Sequence, residues 1–245
     1  MYELARRTVL GVIVLLLMPL IIWVTGWQWR PDVSGWWLLV LFWITETVSS
    51  PWGVLTCVGL SLWFSWCLRF RWAPALALIA IMAMTILLGQ GVKSVIKNWV
   101  QEPRPFVVWL EKKHQVDSHY FYFSLGNTHT GLAKEPRNVE QPPLWLRHYW
   151  QGEHGFAFPS GHTLFAATWA LMGVGLLWTR RHYVTVTLLM IWAIGVMGSR
   201  LALGMHWPQD LIMATVISGI LAMVATWLSQ YCGCLPVPPK DTENR

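Results

Sequence analysis

The sequence predicts an all-α protein, a polytopic membrane helical bundle with six transmembrane helices and one long polar insertion. Three observations support this fold class. The 245 residues are 55% hydrophobic and only 12% charged, whereas soluble domains carry about 25% charged residues. Long apolar runs alternate with shorter polar segments along the chain. The chain also has 19 tryptophans, a residue that is enriched at membrane–water interfaces.

Six apolar runs are long enough to cross a bilayer, for which a helix needs about 20 residues. They cover 8–25, 53–68, 75–92, 162–178, 183–199 and 210–229. The segment 35–50 is short and carries Glu46, so we predict a helix lying in the membrane interface there. The insertion covers about 93–159, and residues 1–245 are predicted to form a single integral membrane domain.

Pairs of basic residues decide the predicted topology. They lie at the chain ends and in short loops, as Arg6/Arg7, Arg69/Arg71, Arg180/Arg181 and Lys240/Arg245. The positive-inside bias favours the cytoplasm for such residues, and six crossings satisfy it for all four pairs, with both termini cytoplasmic. A seventh crossing through 35–50 would move Arg69 and Arg71 outside. The first run is interpreted as an uncleaved span because no small-residue cleavage site follows it.

The composition also limits the partners. A formal net charge of +6 favours anionic partners such as lipid headgroups or phosphate compounds. No basic tract predicts a nucleic-acid partner, and nothing indicates an obligate protein partner. The four cysteines form neither a disulfide framework nor a CxxC motif. The histidines of the insertion lack metal-ligand spacing, so we predict no metal site; they are His114, His119, His129, His148 and His154.

Two polar pieces flank the insertion. The first, KNWVQEPRP at 97–105, places Lys97 and Arg104 seven positions apart, with a proline on each side of the arginine. The second, FPSGH at 158–162, precedes an apolar run as a helix start does. The free N–H groups and the positive dipole end of a helix start form a natural anion site. Taken singly, a snorkelling lysine, a loop cation and a helix cap also explain these pieces.

The third polar piece is SRLALGMHWPQD at 199–210, between the last two apolar runs. Pro208 suits the first turn of a helix, which puts His206 near the N-cap and Asp210 near position N3. An imidazole held by a carboxylate has a fixed tautomer and a stabilised positive form, which suits a nucleophile or a base. The alternative is that Asp210 only caps the helix and that His206 has no chemical role.

The topology brings the three pieces together. With six crossings, the ends of the third and fifth spans and the starts of the fourth and sixth open on the same face, opposite the basic pairs. Three cations, two histidines and a helix N-terminus on one membrane face predict a phosphate-transfer pocket.

Three motifs follow one another along the chain: K-x6-RP, PSGH and SR-x5-H-x3-D. In this order they resemble the three-part signature of the type 2 phosphatidic acid phosphatase superfamily of membrane lipid phosphatases. All motif positions match, namely Lys97, Arg104, Pro105, Pro159, Ser160, Gly161, His162, Ser199, Arg200, His206 and Asp210. Further similarity to bacterial members covers most of the chain, and 114–150 is the least similar part.

The resemblance implies a metal-independent lipid phosphatase without a cofactor. His206 would attack phosphorus to form a phosphohistidine, Asp210 would orient the ring, and His162 would serve as the general acid and base. The groups implied to hold the phosphate are Lys97, Arg104, Ser160, Gly161 and Arg200. The accessory candidates are Lys93, Pro105, Glu153 and Ser199.

The resemblance also implies substrates and a location. The partners would be membrane phospholipids, above all phosphatidylglycerophosphate with phosphatidate, lysophosphatidate and diacylglycerol pyrophosphate, and isoprenoid lipid phosphates such as undecaprenyl pyrophosphate. The protein would lie in a bacterial inner membrane, with its active site and insertion facing the periplasm.

Three alternatives stay open at this point. A phosphotransferase would pass the phosphoryl group to an acceptor other than water. A non-catalytic lipid-phosphate binder or transporter would use the same cations, but would leave the paired histidines and Asp210 without a purpose. A structural membrane scaffold would leave all three motifs unexplained.

Overall fold

The computed structural model describes residues 2–31, 35–68, 72–114, 142–153 and 155–232. These residues form α-helices joined by turns, one short 3-10 helix and no strand. In chain order the helices are α1 (Tyr2–Val24), α2 (Trp36–Glu46), α3 (Trp52–Cys67), α4 (Trp72–Val100), α5 (Pro105–His114), α6 (Leu144–Gln151), α7 (Gly161–Leu177), α8 (Tyr183–Ala202) and α9 (Pro208–Tyr231). The predicted all-α fold class is confirmed.

Five of the described helices are long and apolar enough to cross a membrane, namely α1, α4, α7, α8 and α9. The remaining predicted span, 53–68, forms α3, which has 16 residues and a length of about 24 Å at 1.5 Å per residue. That is shorter than a hydrocarbon core of about 30 Å, so the count of six spans stays a prediction. Helix α2, within the predicted interfacial segment, has only 11 residues.

Helix α7 is the centre of the bundle. Every residue from Thr163 to Leu177 is buried, as expected of a helix that is apolar on all sides. It packs against α1, α4, α8 and α9. Its contact with α9 is close because a Cβ atom at Gly175 would lie 2.5 Å from Oγ1 of Thr226. Small residues permit such close approach where lipid supplies little hydrophobic driving force between helices.

An aromatic cluster holds the connection between α8 and α9. The indole N–H of Trp29 donates to the carbonyl of Ala202, and that of Trp150 donates to Leu203, each at 2.9 Å. Trp150 also stacks on Phe106, with ring centroids 4.9 Å apart. Segments that are distant in sequence therefore fix the backbone that leads into the third motif.

The structure differs from the sequence analysis at the end of the third span. We predicted this end at residue 92, but α4 continues to Val100. The charges of Lys93 and Lys97 mark a chemical boundary in the sequence and do not interrupt the helix. The helix ends only at Gln101, which has a φ of 50°. Lys93 and Lys97 consequently lie one turn apart on a regular helix.

Some predictions fall on residues outside the described ranges. They concern the basic anchors Arg69, Arg71, Lys240 and Arg245 and the side chains of His114, His119, His129 and His154. Of the insertion's histidines, His148 is described, and its side chain is exposed on α6.

Gly204→Ala should destabilise the protein. Gly204 has a φ of +71°, and a Cβ atom there would lie 2.5 Å from the ring of Trp29. The left-handed backbone alone costs about 1–2 kcal/mol for a residue with a Cβ atom, and the clash adds to it. Thermal unfolding in detergent should show a clearly lower Tm. Gly59→Ala is the matched control because Gly59 has open space in α3; equal Tm values for both variants would contradict the interpretation.

Candidate active site

Arg104 is a buried cation that fastens the segment before α7. Its Nε donates to the carbonyl of Gly155 at 2.6 Å, and its Nη2 donates to Oε2 of Glu153 at 2.8 Å. From the last turn of α4, Nζ of Lys97 donates to the carbonyl of Phe156. The first motif therefore holds Glu153, Gly155 and Phe156 in place at its own end of the bundle.

Arg200 reaches the same carboxylate from the other side. It is fully buried at the end of α8, and its Nη2 donates to Oε1 of Glu153 at 3.4 Å. Its Nη1 donates to the hydroxyl of Tyr149 and to Oγ1 of Thr45, the latter at 3.3 Å. The first and third motifs are thus joined through one side chain that belongs to neither.

Glu153 is the link between the two arginines, with one carboxylate oxygen on each. Burial by itself raises the pKa of this carboxyl, but the positive charges of Arg104 and Arg200 outweigh burial and hold the pKa well below its usual range. The carboxylate is therefore ionised at neutral pH and offsets part of the positive charge that is buried around it.

The second motif begins α7 as predicted. Ser160 is the N-cap, and its Oγ accepts a hydrogen bond from the backbone N–H of Thr163 at 3.3 Å. The backbone N–H of Ser160 donates to the carbonyl of Asp210 at 3.3 Å, so the starts of α7 and α9 touch. A Cβ atom at Gly161 would lie 2.7 Å from Cδ of Lys93. Glycine thus lets the lysine side chain cross the helix start.

His206 and Asp210 form a buried pair at the start of α9. Oδ2 of Asp210 accepts a hydrogen bond from the backbone N–H of Trp207 at 2.8 Å and lies 3.1 Å from Nδ1 of His206. Trp207 is the N-cap, so Asp210 occupies N3 as predicted, and His206 lies one residue before the cap. Hydrogen bonding at Nδ1 leaves the lone pair on Nε2 of the ring.

The surroundings keep the His206 ring neutral. Burial lowers the pKa of His206 well below its usual value, and the positive charges of Arg200 and Arg104 lower it further. A neutral imidazole with a free Nε2 can act as a nucleophile.

His162 lies one residue into α7, with its Nε2 3.1 Å from Oγ of Ser49. Ser49 comes from the turn between α2 and α3, which no motif includes. The hydroxyl can donate to a neutral ring or accept from a protonated one.

One cavity of about 600 Å³ connects these side chains. Its polar end is lined by Lys93, Lys97, Arg104, Glu153, Gly161, His162 and His206. Its apolar end runs between α3, α4 and α7 and is lined by Val54, Cys57, Ala83, Ile86, Leu87, Phe165 and Trp169. The arrangement can hold an anionic headgroup at one end and a hydrocarbon chain at the other.

The other predicted site residues lie behind this lining. Arg200 and Asp210 act on it through Glu153 and His206, and Ser160 caps the helix beside it. Ser199 turns its hydroxyl back to the carbonyl of Val196 at 2.6 Å. Pro105 begins α5. The structure thus brings the three motifs together, while the roles of the individual residues stay predictions.

The sequence analysis missed Tyr149 and Ser49. Tyr149 lies in the part of the insertion with the least recognisable pattern, and Ser49 lies in the predicted interfacial segment. Their partners are Arg200 and His162, 51 and 113 positions away. Local spacing carries no signal for such contacts.

Among the residues that the structure describes, no group of three or more His, Cys, Asp or Glu side chains could hold a metal ion. Metal independence itself stays a prediction.

A family model described as the PAP2 superfamily matches residues 74–234. The chain belongs to this superfamily. Phosphatidylglycerophosphatase B of Escherichia coli strain K12 is 55% identical over 246 aligned residues, which cover 100% of this chain and 96% of the relative. The protein of that name in Haemophilus influenzae is 33% identical over 226 residues, covering 88% and 92% of the two chains. This PAP2 member is therefore a lipid phosphatase of a bacterial membrane.

Glu153→Gln should change how stability depends on pH. Because the folded-state pKa of Glu153 is lowered from 4.5, its stabilising effect is complete above about pH 4.5 and is lost as the pH falls below that value. The Tm of the unmodified protein should therefore exceed that of the variant most at pH 6–7, and the difference should shrink in acid. Glu3→Gln, which removes an exposed carboxylate, is the control. A difference in Tm between the unmodified protein and the Glu153 variant that stays constant across this pH range would contradict the lowered pKa.

Proposed function

We propose that this protein hydrolyses the terminal phosphate of phosphatidylglycerophosphate through a phosphohistidine on His206, without a metal ion. One observation carries the proposal. His206, which is paired with the buried Asp210, and the cations of the first motif line one cavity whose other end is apolar. The printed name of the relatives supports the choice of substrate.

In the first half-reaction, the lone pair on Nε2 of His206 attacks phosphorus. The bond from phosphorus to the lipid oxygen breaks, its electron pair stays on that oxygen, and protonated His162 supplies a proton to it. Asp210 stabilises the positive charge that develops on the His206 ring. The products are the dephosphorylated lipid and a phosphohistidine.

In the second half-reaction, neutral His162 accepts a proton from a water molecule whose oxygen attacks phosphorus. The bond from phosphorus to Nε2 of His206 breaks, and its electron pair returns to the ring. Inorganic phosphate leaves, and His162 is protonated again for the next cycle.

Catalysis of phosphoryl transfer consists mainly of positioning the reactants and stabilising negative charge, which fixed positive groups can do. The proposed donors to its equatorial oxygens are Lys97, Arg104, Arg200, the hydroxyl of Ser160 and the backbone N–H groups of Gly161 and His162. Glu153 now occupies one donor of each arginine. Substrate binding therefore exchanges this carboxylate for phosphate oxygens, which makes Glu153 an internal competitor for the site.

The apolar end of the cavity supports lipid substrates that approach from within the bilayer, since a hydrocarbon chain leaves lipid only at high cost. The positive-inside bias supports an inner-membrane protein with both termini cytoplasmic and the site on the periplasmic side. The same cavity would accept phosphatidate, lysophosphatidate, diacylglycerol pyrophosphate and undecaprenyl pyrophosphate, which share a terminal phosphate on an apolar carrier.

His206→Ala should abolish phosphate release because it removes the nucleophile. Purified protein in detergent is assayed for phosphate release across these lipid phosphates, and a substrate with labelled phosphate is quenched in alkali to trap the phosphohistidine. We expect kcat to fall at least about 10³-fold, with no trapped label. His182→Ala is the control, since the His182 ring forms a hydrogen bond with the backbone carbonyl of Cys67 near the opposite end of α7. Substantial turnover by the His206 variant would refute the assigned nucleophile, and label on an acceptor other than water would indicate a phosphotransferase.

Activity should survive removal of divalent metal ions, because the cations in the proposal are side chains. Phosphate release is measured after dialysis against EDTA and again after Mg²⁺ is added. We expect rates within about twofold of each other. Loss of activity with EDTA that Mg²⁺ restores would overturn the metal-free scheme.

A further inference from the structure

Ser49 makes the hydrogen bond to His162 that the mechanism leaves unused. Its Oγ lies 3.1 Å from Nε2 of the ring, and both residues line the cavity beside Lys97 and His206. Ser49 thus holds one ring nitrogen of His162 at the wall of this cavity.

The turn that carries Ser49 is closely packed. The backbone N–H of Ser49 donates to Glu46 at 3.1 Å, and the carbonyl of Ser49 accepts from the backbone N–H of Gly53 at 2.7 Å. A Cβ atom at Gly53 would lie 2.5 Å from the carbonyl oxygen of Val48. The hydroxyl is therefore presented from a turn with little room to move.

A second set of contacts anchors this turn to its neighbours. Oγ1 of Thr47 accepts a hydrogen bond from the indole N–H of Trp192 on α8 at 3.0 Å. Oγ1 of Thr56 on α3 donates to the carbonyl of Thr47 at 2.7 Å. The position of Ser49 thus depends on three helices, α2, α3 and α8, and not on α7, which carries His162.

A hydroxyl suits a group that must act in both protonation states. With Nε2–H donating to Oγ, the ring keeps this hydrogen bond whether Nδ1 is protonated, as the acid requires, or carries a lone pair, as the base requires.

We propose that Ser49 is a positioning residue for His162: it holds the ring through Nε2, so that Nδ1 is the nitrogen that gives a proton to the leaving-group oxygen and later takes one from water. The inference rests on the proposed acid–base role of His162. It predicts that removing the Ser49 hydroxyl slows the reaction more for a leaving group that needs a proton than for one that does not.

The test compares two leaving groups with purified protein in detergent. A lipid phosphate leaves as an alkoxide, which needs a proton, whereas p-nitrophenyl phosphate leaves as a stable anion and needs little acid assistance. Ser49→Ala should lower kcat/KM, which reports only the first half-reaction, about 10–100-fold for phosphatidate, part of the usual acid–base contribution, and less than about threefold for the aryl phosphate. Ser49→Thr, which keeps a hydroxyl, should restore most of the phosphatidate rate.

Two controls separate positioning from a merely structural effect. Ser65→Ala removes a hydroxyl that donates to the carbonyl of Ser61 within α3 and leaves the Ser49 turn intact, so it should change the rates for both substrates by the same factor. Ser49→Ala added to His162→Gln should cause no further selective loss for phosphatidate, because the two residues act as one unit.

The outcomes distinguish this inference from the function on which it rests. One outcome is that His162→Gln slows phosphatidate hydrolysis more than aryl phosphate hydrolysis, while Ser49→Ala slows both equally or neither. In that case the role of Ser49 is overturned and the acid–base role of His162 stands. If His162→Gln itself shows no dependence on the leaving group, both are overturned.

Discussion

The structure depends on two buried guanidinium groups that share one carboxylate. Arg104 follows α4, Arg200 ends α8, and Glu153 follows α6, so a single charged bridge joins three distant segments. Burying one such cation without a partner would cost several kcal/mol. The bridge therefore makes the correct assembly of these segments a condition for burying either charge, and it leaves both arginines close to the cavity.

The central helix supplies the second constraint. Because α7 is buried from Thr163 onward, its first turn is held by packing on all sides, and the polar groups at its start cannot drift. The capped start of α7 meets the start of α9 through the bond from Ser160 to Asp210. Rigid placement of this kind is what phosphoryl transfer requires, since most of its catalysis is positioning.

Local patterns in the sequence predicted the helical fold, the cap at Ser160 and the N3 position of Asp210, because each depends on neighbours a few residues away. The end of α4 was predicted too early, since charged side chains at the rim of a membrane resemble the end of a helix. Ser49, Tyr149 and the double role of Glu153 depend on contacts across many residues, for which no pattern exists in a single sequence. The motifs predicted a shared pocket, and side chains from all three motifs lie in or directly behind the lining of one cavity.

The spread of the site along the chain has a consequence for biosynthesis. The backbone after Arg200 is fastened by Trp29, near the beginning of the chain, and the proposed nucleophile precedes the last described helix. A ribosome-bound chain that has not yet released α9 holds the cations but lacks the His206–Asp210 pair. On the proposed mechanism, the nascent protein stays catalytically silent until α9 has been inserted.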